Sequence, residues 1–205
     1  ANLVDKYEVR KQVAKTIGKE YLIPLIGVWD RFDDIDFESL PNQFVLKSNH
    51  DSGGVILCTD KSKFDIGAAR KKINKSLKRN YFYNGREWPY KNVKPRIICE
   101  ELIKTKDGGL PSDYKFHCFN GEPDSVMVCI ERDSGNPRFF FFDKEWNLLR
   151  YNIAGMNAPQ SFALSKPKKM DEMFKIAKKL SSESPFVRVD LYCEDEKIYF
   201  GDLTF

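Results

Sequence analysis

Between Arg96 and Phe142 one apolar run follows another with only turn residues between them, and this order constrains the fold more than any other feature. The spacing predicts strands over 96–103, 114–119, 125–131 and 137–142, with Asp107-Gly108-Gly109 and Asn120-Gly121 as turns. A further pair closes the chain over 186–192 and 197–205, joined by the acidic turn Glu194-Asp195-Glu196. Upstream, strands over 43–47 and 55–58 flank a polar loop carrying Gly53 and Gly54, which reads as a hairpin. Pro24 interrupts a short strand over 21–29 and places it near an edge. Helices are fewer. One opens the chain, with Val9, Val13 and Ile17 in helical spacing and Gly18 as its C-cap. A basic one spans 64–78 on a stripe of Ile66, Ala69, Ile73 and Leu77, and a third spans 171–180. Strands in runs without regular βαβα alternation predict an α+β fold with antiparallel sheets. The aromatic, turn-rich stretch 79–95 reads as the passage between two lobes, 1–95 and 96–205.

The chain has 205 residues, 41% of them hydrophobic, which is enough for one medium domain or two small lobes. Lys and Arg exceed Asp and Glu by only four, so the charge is not concentrated as in a nucleic-acid binder. The basic clusters at 70–79 and 166–169 read as solvated helix faces, with contact to an anionic substrate or a membrane surface as the alternative. The five cysteines form no CxxC pair, and Cys58, Cys99, Cys118 and Cys129 lie in apolar runs where a thiol packs as a small hydrophobe. That usage predicts a reducing compartment. No apolar run reaches the length of about 18 residues that a membrane span needs, and no signal-peptide pattern is visible. The expectation is a soluble, cytoplasmic protein without an integral membrane segment.

Three segments carry residues suited to chemistry. On the closing hairpin, Arg188 and Asp190 share one face by the two-residue period of a strand, as do Asp202 and Thr204. If the two faces coincide, two carboxylates, a guanidinium and a hydroxyl converge beside core positions, and magnesium is a natural partner for such oxygens. The plain alternative is an Arg188 ion pair on a solvated face. Second, Lys47 ends an apolar strand ahead of a loop with two glycines, which can aim an ammonium and backbone amides at phosphate. It is no Walker A motif, because no Gly-Lys-Ser/Thr ends the loop and a strand follows it; an ordinary hairpin turn is the alternative. His50 within that loop could hydrogen-bond a terminal phosphate or a leaving oxygen. Third, the run Ile97 to Ile103 passes through Glu100 and Glu101, and can present backbone groups to an adenine edge while its apolar side chains hold the ring. Asp113 could accept hydrogen bonds from a ribose, and a core strand with solvated acids is the alternative here.

Taken in order, several passages resemble the ATP-grasp superfamily and, in their wording, its TupA-like branch named for teichuronopeptide biosynthesis. They include Asp5-Lys6-Tyr7-Glu8-Val9-Arg10, the stretch Gln43 to Gly54, Tyr90 to Arg96, Asp113 to Pro123, Pro185 to Tyr192 and Ile198 to Phe205. The resemblance covers nearly the whole chain. It implies an ATP-grasp fold whose two small lobes enclose a nucleotide cleft. Lys6 and Lys47 would hold phosphates, and Asn49, His50, Ser52, Gly53 and Gly54 would belong to a mobile phosphate loop. Glu100, Glu101, Leu102 and Ile103 would form the adenine hinge, with Asp113 on the ribose. Asp190, Asp202 and Thr204 would hold magnesium. Arg188 would face the phosphate or acyl phosphate, and Lys115 would lie near the same cleft.

The implied activity is ATP-dependent carboxylate–amine ligation through an acyl phosphate, with an amino acid and an acidic sugar or peptide as partners in surface polysaccharide synthesis. A kinase-like phosphotransferase acting on a hydroxyl, and a non-catalytic module for anionic glycans, are the competing classes. No nucleic-acid partner is implied. Three departures from the family pattern stand out. A separate domain commonly precedes the position of Asp5, the motif at Thr204 commonly runs on into a Pro- and Gly-containing loop, and many relatives carry Asn at that position. The sequence therefore reads as a fragment of a longer protein.

Overall fold

The computed structural model describes residues 3–51, 53–132 and 134–205. The chain divides into two compact units. The first takes the chain as far as Gln12 and again Ile23–Leu102, and the second holds Val13–Leu22 and Ile103–Phe205. The stretch 79–95, expected to pass between lobes, lies wholly within the first unit, and the chain crosses instead at 12/13, 22/23 and 102/103.

The opening helix α1 (Val9–Thr16) starts at the first residue of its apolar spacing, and Asp5 sets up the turn ahead of it. The Asp5 carboxylate accepts hydrogen bonds from the amides of Tyr7 and Glu8 at 2.8 and 3.2 Å. Such a side-chain acceptor satisfies donors that the first helical turn leaves open. Gly18 follows the helix at φ 116°, a backbone conformation in which a side chain would be strained.

The first unit is built on a four-stranded antiparallel sheet, β1 (Leu25–Trp29), β2 (Phe44–Ser48), β3 (Val55–Cys58) and β4 (Ile97–Glu100), in the order β1-β4-β2-β3. One face carries Phe44, Leu46, Ile97 and Cys99 into a core closed by Ala69 and Ile73 of α2 (Ile66–Leu77). Ile66, expected on that apolar stripe, is exposed at the helix start, where the Asp65 carboxylate accepts from the Ala68 amide at 2.8 Å. The short helix α3 (Phe82–Gly85) was not legible in the spacing. The opposite face of the sheet carries Val45 and Lys47, with Glu100 the register partner of Val45.

The second unit is a six-stranded antiparallel sheet. Its strands are β5 (Asp113–Phe119), β6 (Glu122–Ile130), β7 (Arg138–Phe142), β8 (Leu148–Leu149), β9 (Phe186–Glu194) and β10 (Lys197–Thr204), in the order β10-β9-β5-β6-β7-β8. Asn120 and Gly121, with φ of 49° and 80°, make the tight β5–β6 turn that an Asn-Gly pair favours. Between β8 and the long helix α5 (Met170–Ser181) sits α4 (Ile153–Asn157); β8 and α4 are too short to leave a periodic signal. Alternate residues Phe116, Val126, Val128, Val187, Val189 and Leu191 are buried, and Phe116 meets Phe174 of α5 edge-to-face with ring centroids 5.0 Å apart. Burying a Phe side chain contributes roughly 1.5–3 kcal/mol of stability. The other face of this sheet is left for polar work.

Candidate functional site

A single bulge decides what that polar face holds. In β10, Phe200 lies opposite Leu191, yet two residues later Asp202 lies opposite Asp190, because the register shifts at Gly201. Without the shift, Asp202 would share the parity of Phe200 and point into the core. With it, Asp202 and Thr204 face outward beside Asp190 and Arg188, while Leu203 takes the core position opposite Val189. Gly is needed at the bulge: a Cβ at 201 would lie 3.0 Å from the Asp190 carbonyl oxygen. The condition that the two strand faces coincide is thus met by a residue the strand period alone does not reveal.

Next door, β5 sets Lys115 opposite Asp190 and His117 opposite Arg188. The Asp190 carboxylate is almost closed to solvent and receives three hydrogen bonds. Arg188 Nε and Nη2 donate at 2.7 and 2.8 Å, and Lys115 Nζ donates at 2.7 Å. Arg188 Nη2 also donates to Thr204 Oγ1 at 3.1 Å, and Lys115 Nζ reaches Asp113 Oδ2 at 2.5 Å. Burial works to lower the Lys115 pKa, but the carboxylates of Asp190 and Asp113 outweigh it and hold the ammonium above its ordinary value. Burial pushes the Asp113 carboxyl up, and the charge on Lys115 only partly offsets it.

Two buried atoms on this face lack a hydrogen-bond partner among the described residues, Asp113 Oδ1 and His117 Nδ1. Orphaned buried polar atoms are uncommon and call for a reason. His117 stacks on Phe141 with centroids 5.6 Å apart, and burial, followed by the charge of Arg188, lowers its pKa. His117 was not singled out in the sequence, although its place two residues beyond Lys115 puts it on the same face.

The donors on this face fit magnesium in kind. Asp190, Asp202 and Thr204 offer hard oxygens on neighbouring strands, and magnesium takes one or two carboxylates when phosphate oxygens complete its shell. Among the described residues no group of three or more His, Cys, Asp or Glu side chains is set to hold a metal ion.

The first unit presents a different picture. Lys47 Nζ pairs with Glu100 Oε2 at 2.5 Å, and Arg10 Nη1 donates to Glu100 Oε1 at 2.8 Å. Glu100, expected at an adenine hinge through its backbone, has its buried carboxylate gripped by two cations. Its neighbours Glu101, exposed, and Leu102 and Ile103, half-buried, remain in an extended stretch where such a backbone edge can lie. In the loop expected to be mobile, Asn49, His50 and Asp51 are tied down by their side chains. Asn49 Nδ2 donates to the Lys94 carbonyl at 2.9 Å, and Asn49 Oδ1 accepts from the Arg96 amide at 2.7 Å. His50 is buried, with Nε2 on the Arg79 carbonyl at 2.9 Å, so its ring is not offered to a ligand. Asp51 accepts from Ser76 Oγ at 2.7 Å and from the Gly53 amide at 3.1 Å. A Cβ on Gly54 would lie 2.3 Å from Ser48 Oγ, so glycine there serves close packing, whereas at Gly53 the nearest atom is 3.9 Å away. Lys6 is anchored near this loop by its amide, which donates to the Asn49 carbonyl at 2.9 Å. Ser52 lies outside the described residues.

None of the five cysteines is paired, and burial pushes the Cys99 thiol up to about 12, so it is inert at neutral pH. Among the described residues no helix is long and apolar enough to cross a membrane.

Solved structures define the class of fold. The chain is similar to D-alanine–D-alanine ligase from Bacillus anthracis solved with ATP, at 15% identity and a TM-score of 0.50, over 99% of this chain and 53% of that one. It is similar to L-amino acid ligase from Bacillus licheniformis at 13% identity and a TM-score of 0.54, over 98% and 42%. It is also similar to N5-carboxyaminoimidazole synthetase from Staphylococcus aureus solved with ADP, at 11% identity and a TM-score of 0.53, over 99% and 44%. With its two antiparallel sheets, the chain has the ATP-grasp fold. The TupA-like ATPgrasp family matches residues 1–205, and the chain belongs to it. It spans about half the length of these solved relatives. No curated protein matches the chain.

Proposed function

We propose that this chain is the ATP-using part of a carboxylate–amine ligase. The observation that carries the reading is the Lys115–Asp190–Arg188 cluster beside Asp202 and Thr204. Two cations there converge on one nearly closed carboxylate, on the face of the second-unit sheet that leaves Asp113 Oδ1 unpaired. Phosphoryl transfer asks a protein chiefly for fixed charge around the transferring oxygens, and this face supplies charge already oriented.

In the reaction, a substrate carboxylate oxygen attacks the γ-phosphorus of ATP, and the bond to ADP breaks with its electrons leaving on ADP. An amine nitrogen then attacks the carbon of the acyl phosphate, phosphate departs with the bonding pair, and the nitrogen loses a proton. Asp190, Asp202 and Thr204 would hold magnesium, which supplies positive charge to the phosphate oxygens when bound. Arg188, fixed through Nε and Nη2 on Asp190 and Thr204, brings its positive charge to the transferring group. Lys115 donates to Asp190 and fixes its carboxylate in place. Lys6 and Lys47 hold phosphates, the extended stretch Glu101 to Ile103 borders the adenine, and the free Oδ1 of Asp113 accepts from the ribose. The partners are an amino acid amine and an acidic sugar or peptide carboxylate of surface polysaccharide synthesis, met in the cytoplasm.

Product analysis tests this. Incubation with ATP, magnesium, amino acids and uronic acids is expected to give ADP, free phosphate and an amide. A phosphorylated hydroxyl product would make the protein a kinase. No nucleotide turnover or binding, with or without magnesium, would leave only a glycan-binding module.

A further inference from the structure

The ion cluster on the open face of the first-unit sheet does not close on itself. Glu100 is buried and brings one negative charge, while Arg10 and Lys47 bring two positive charges to its two oxygens. Arg10 spends its other terminal nitrogen on the Ile23 carbonyl at 2.7 Å, a neutral partner. Both cationic side chains are themselves about six-sevenths buried, each at 14% exposure. Among the described residues no other acid pairs with either. A largely desolvated cluster with a surplus charge is expensive unless a counter-charge can reach it.

We propose that Arg10 is a positioning residue that neutralises Glu100, so that the charge of Lys47 is left for a polyphosphate anion. The proposal rests on the reading of Lys47 as a phosphate ligand, and it adds the residue that makes that ligand effective. In a two-member Lys47–Glu100 pair the carboxylate would cancel the ammonium, and an incoming anion would meet a neutral site. With Arg10 in place, Glu100 becomes a neutralised anchor that fixes the Lys47 side chain. An ammonium has three donors, so Nζ can keep its bond to Glu100 and still donate to phosphate. Arg10 suits the task because its planar guanidinium stays charged and can hold a carboxylate and a carbonyl together.

Calorimetry at low ionic strength with the full chain tests this, using inorganic tripolyphosphate and magnesium ATP as probes. Arg10→Gln leaves a neutral pair and is expected to weaken tripolyphosphate roughly tenfold, with a shallower salt dependence. Glu100→Gln raises the cluster to two positive charges and is expected to tighten it. The double variant returns to a single positive charge and is expected to bind close to wild type. Opposite shifts from the two single changes cannot both arise from damage to the fold. Weakening in both single variants, no change in Arg10→Gln, or a double variant as weak as Arg10→Gln would overturn the proposal. If Arg10→Gln does not fold, the direction of the Glu100→Gln shift decides alone. If the wild type binds neither probe, it is the reading of Lys47 that fails.

Discussion

The polar loop of the first unit and the sheet face of the second both looked like nucleotide contacts in sequence, and they differ in how their polar atoms are spent. In the loop, Asn49, His50 and Asp51 are buried with their side chains engaged by backbone and by Ser76. On the sheet face, Asp113 Oδ1 and His117 Nδ1 are buried with no partner among the described residues. A satisfied buried network holds a shape; an unsatisfied buried atom carries a cost that a ligand can relieve. The comparison therefore assigns scaffolding to the loop side chains and chemistry to β5, β9 and β10.

The largest effect that can break this contrast is at Asp190. Asp190→Asn is expected to cut ATP-dependent ADP release roughly 10²–10³-fold, the scale seen when a preorganised charge at a transferring group is removed. A change at Asp51, by contrast, should act through stability. Asp51→Asn is expected to lower the unfolding free energy by about 1–3 kcal/mol, read by urea titration, with turnover per folded molecule unchanged. Gly54→Ala should cost a similar 1–3 kcal/mol through overpacking against Ser48 and Ser76, while Gly53→Ala should stay within about 0.5 kcal/mol.

The smallest effect is in titration. Burial would raise the Asp51 pKa, but the Ser76 hydroxyl, the Gly53 amide and Arg79 outweigh it and hold the carboxyl below its ordinary 3.8. Its contribution to stability is then complete above pH 3.8 and is lost as pH falls through the lower folded value. Asp113 is shifted the other way by burial, so any stability it contributes is present below pH 3.8 and lost as pH rises through its higher folded value. Carboxyl carbon shifts in a pH titration should place Asp51 below 3.8 and Asp113 above it; the reverse order would undo the contrast.

Much of this was legible in the chain. The strand runs, the Asn-Gly turn and the alternation Arg188-Asp190 carry directly into the sheet, because period and turn chemistry are local. What was not legible depended on partners distant in sequence. Glu100 reads as a solvated acid until β4 places it within reach of Arg10 and Lys47, 90 and 53 positions away by number. The ties of Ser48 and Asp51 were not legible because the helix that holds them, through Ser76, begins only later in the chain. Asp202 was placed on the right face only conditionally, since a bulge at Gly201 is invisible to a two-residue period.

The central claim is that the outward oxygens of Asp190 and Asp202 meet a divalent ion bearing nucleotide. Electron paramagnetic resonance of manganese with ADP tests it without relying on turnover. The wild-type protein should bind the pair and broaden the manganese signal, and the Asp190→Asn, Asp202→Asn double variant, folded by circular dichroism, should leave it as free in solution. Binding by the double variant at wild-type strength would contradict the account.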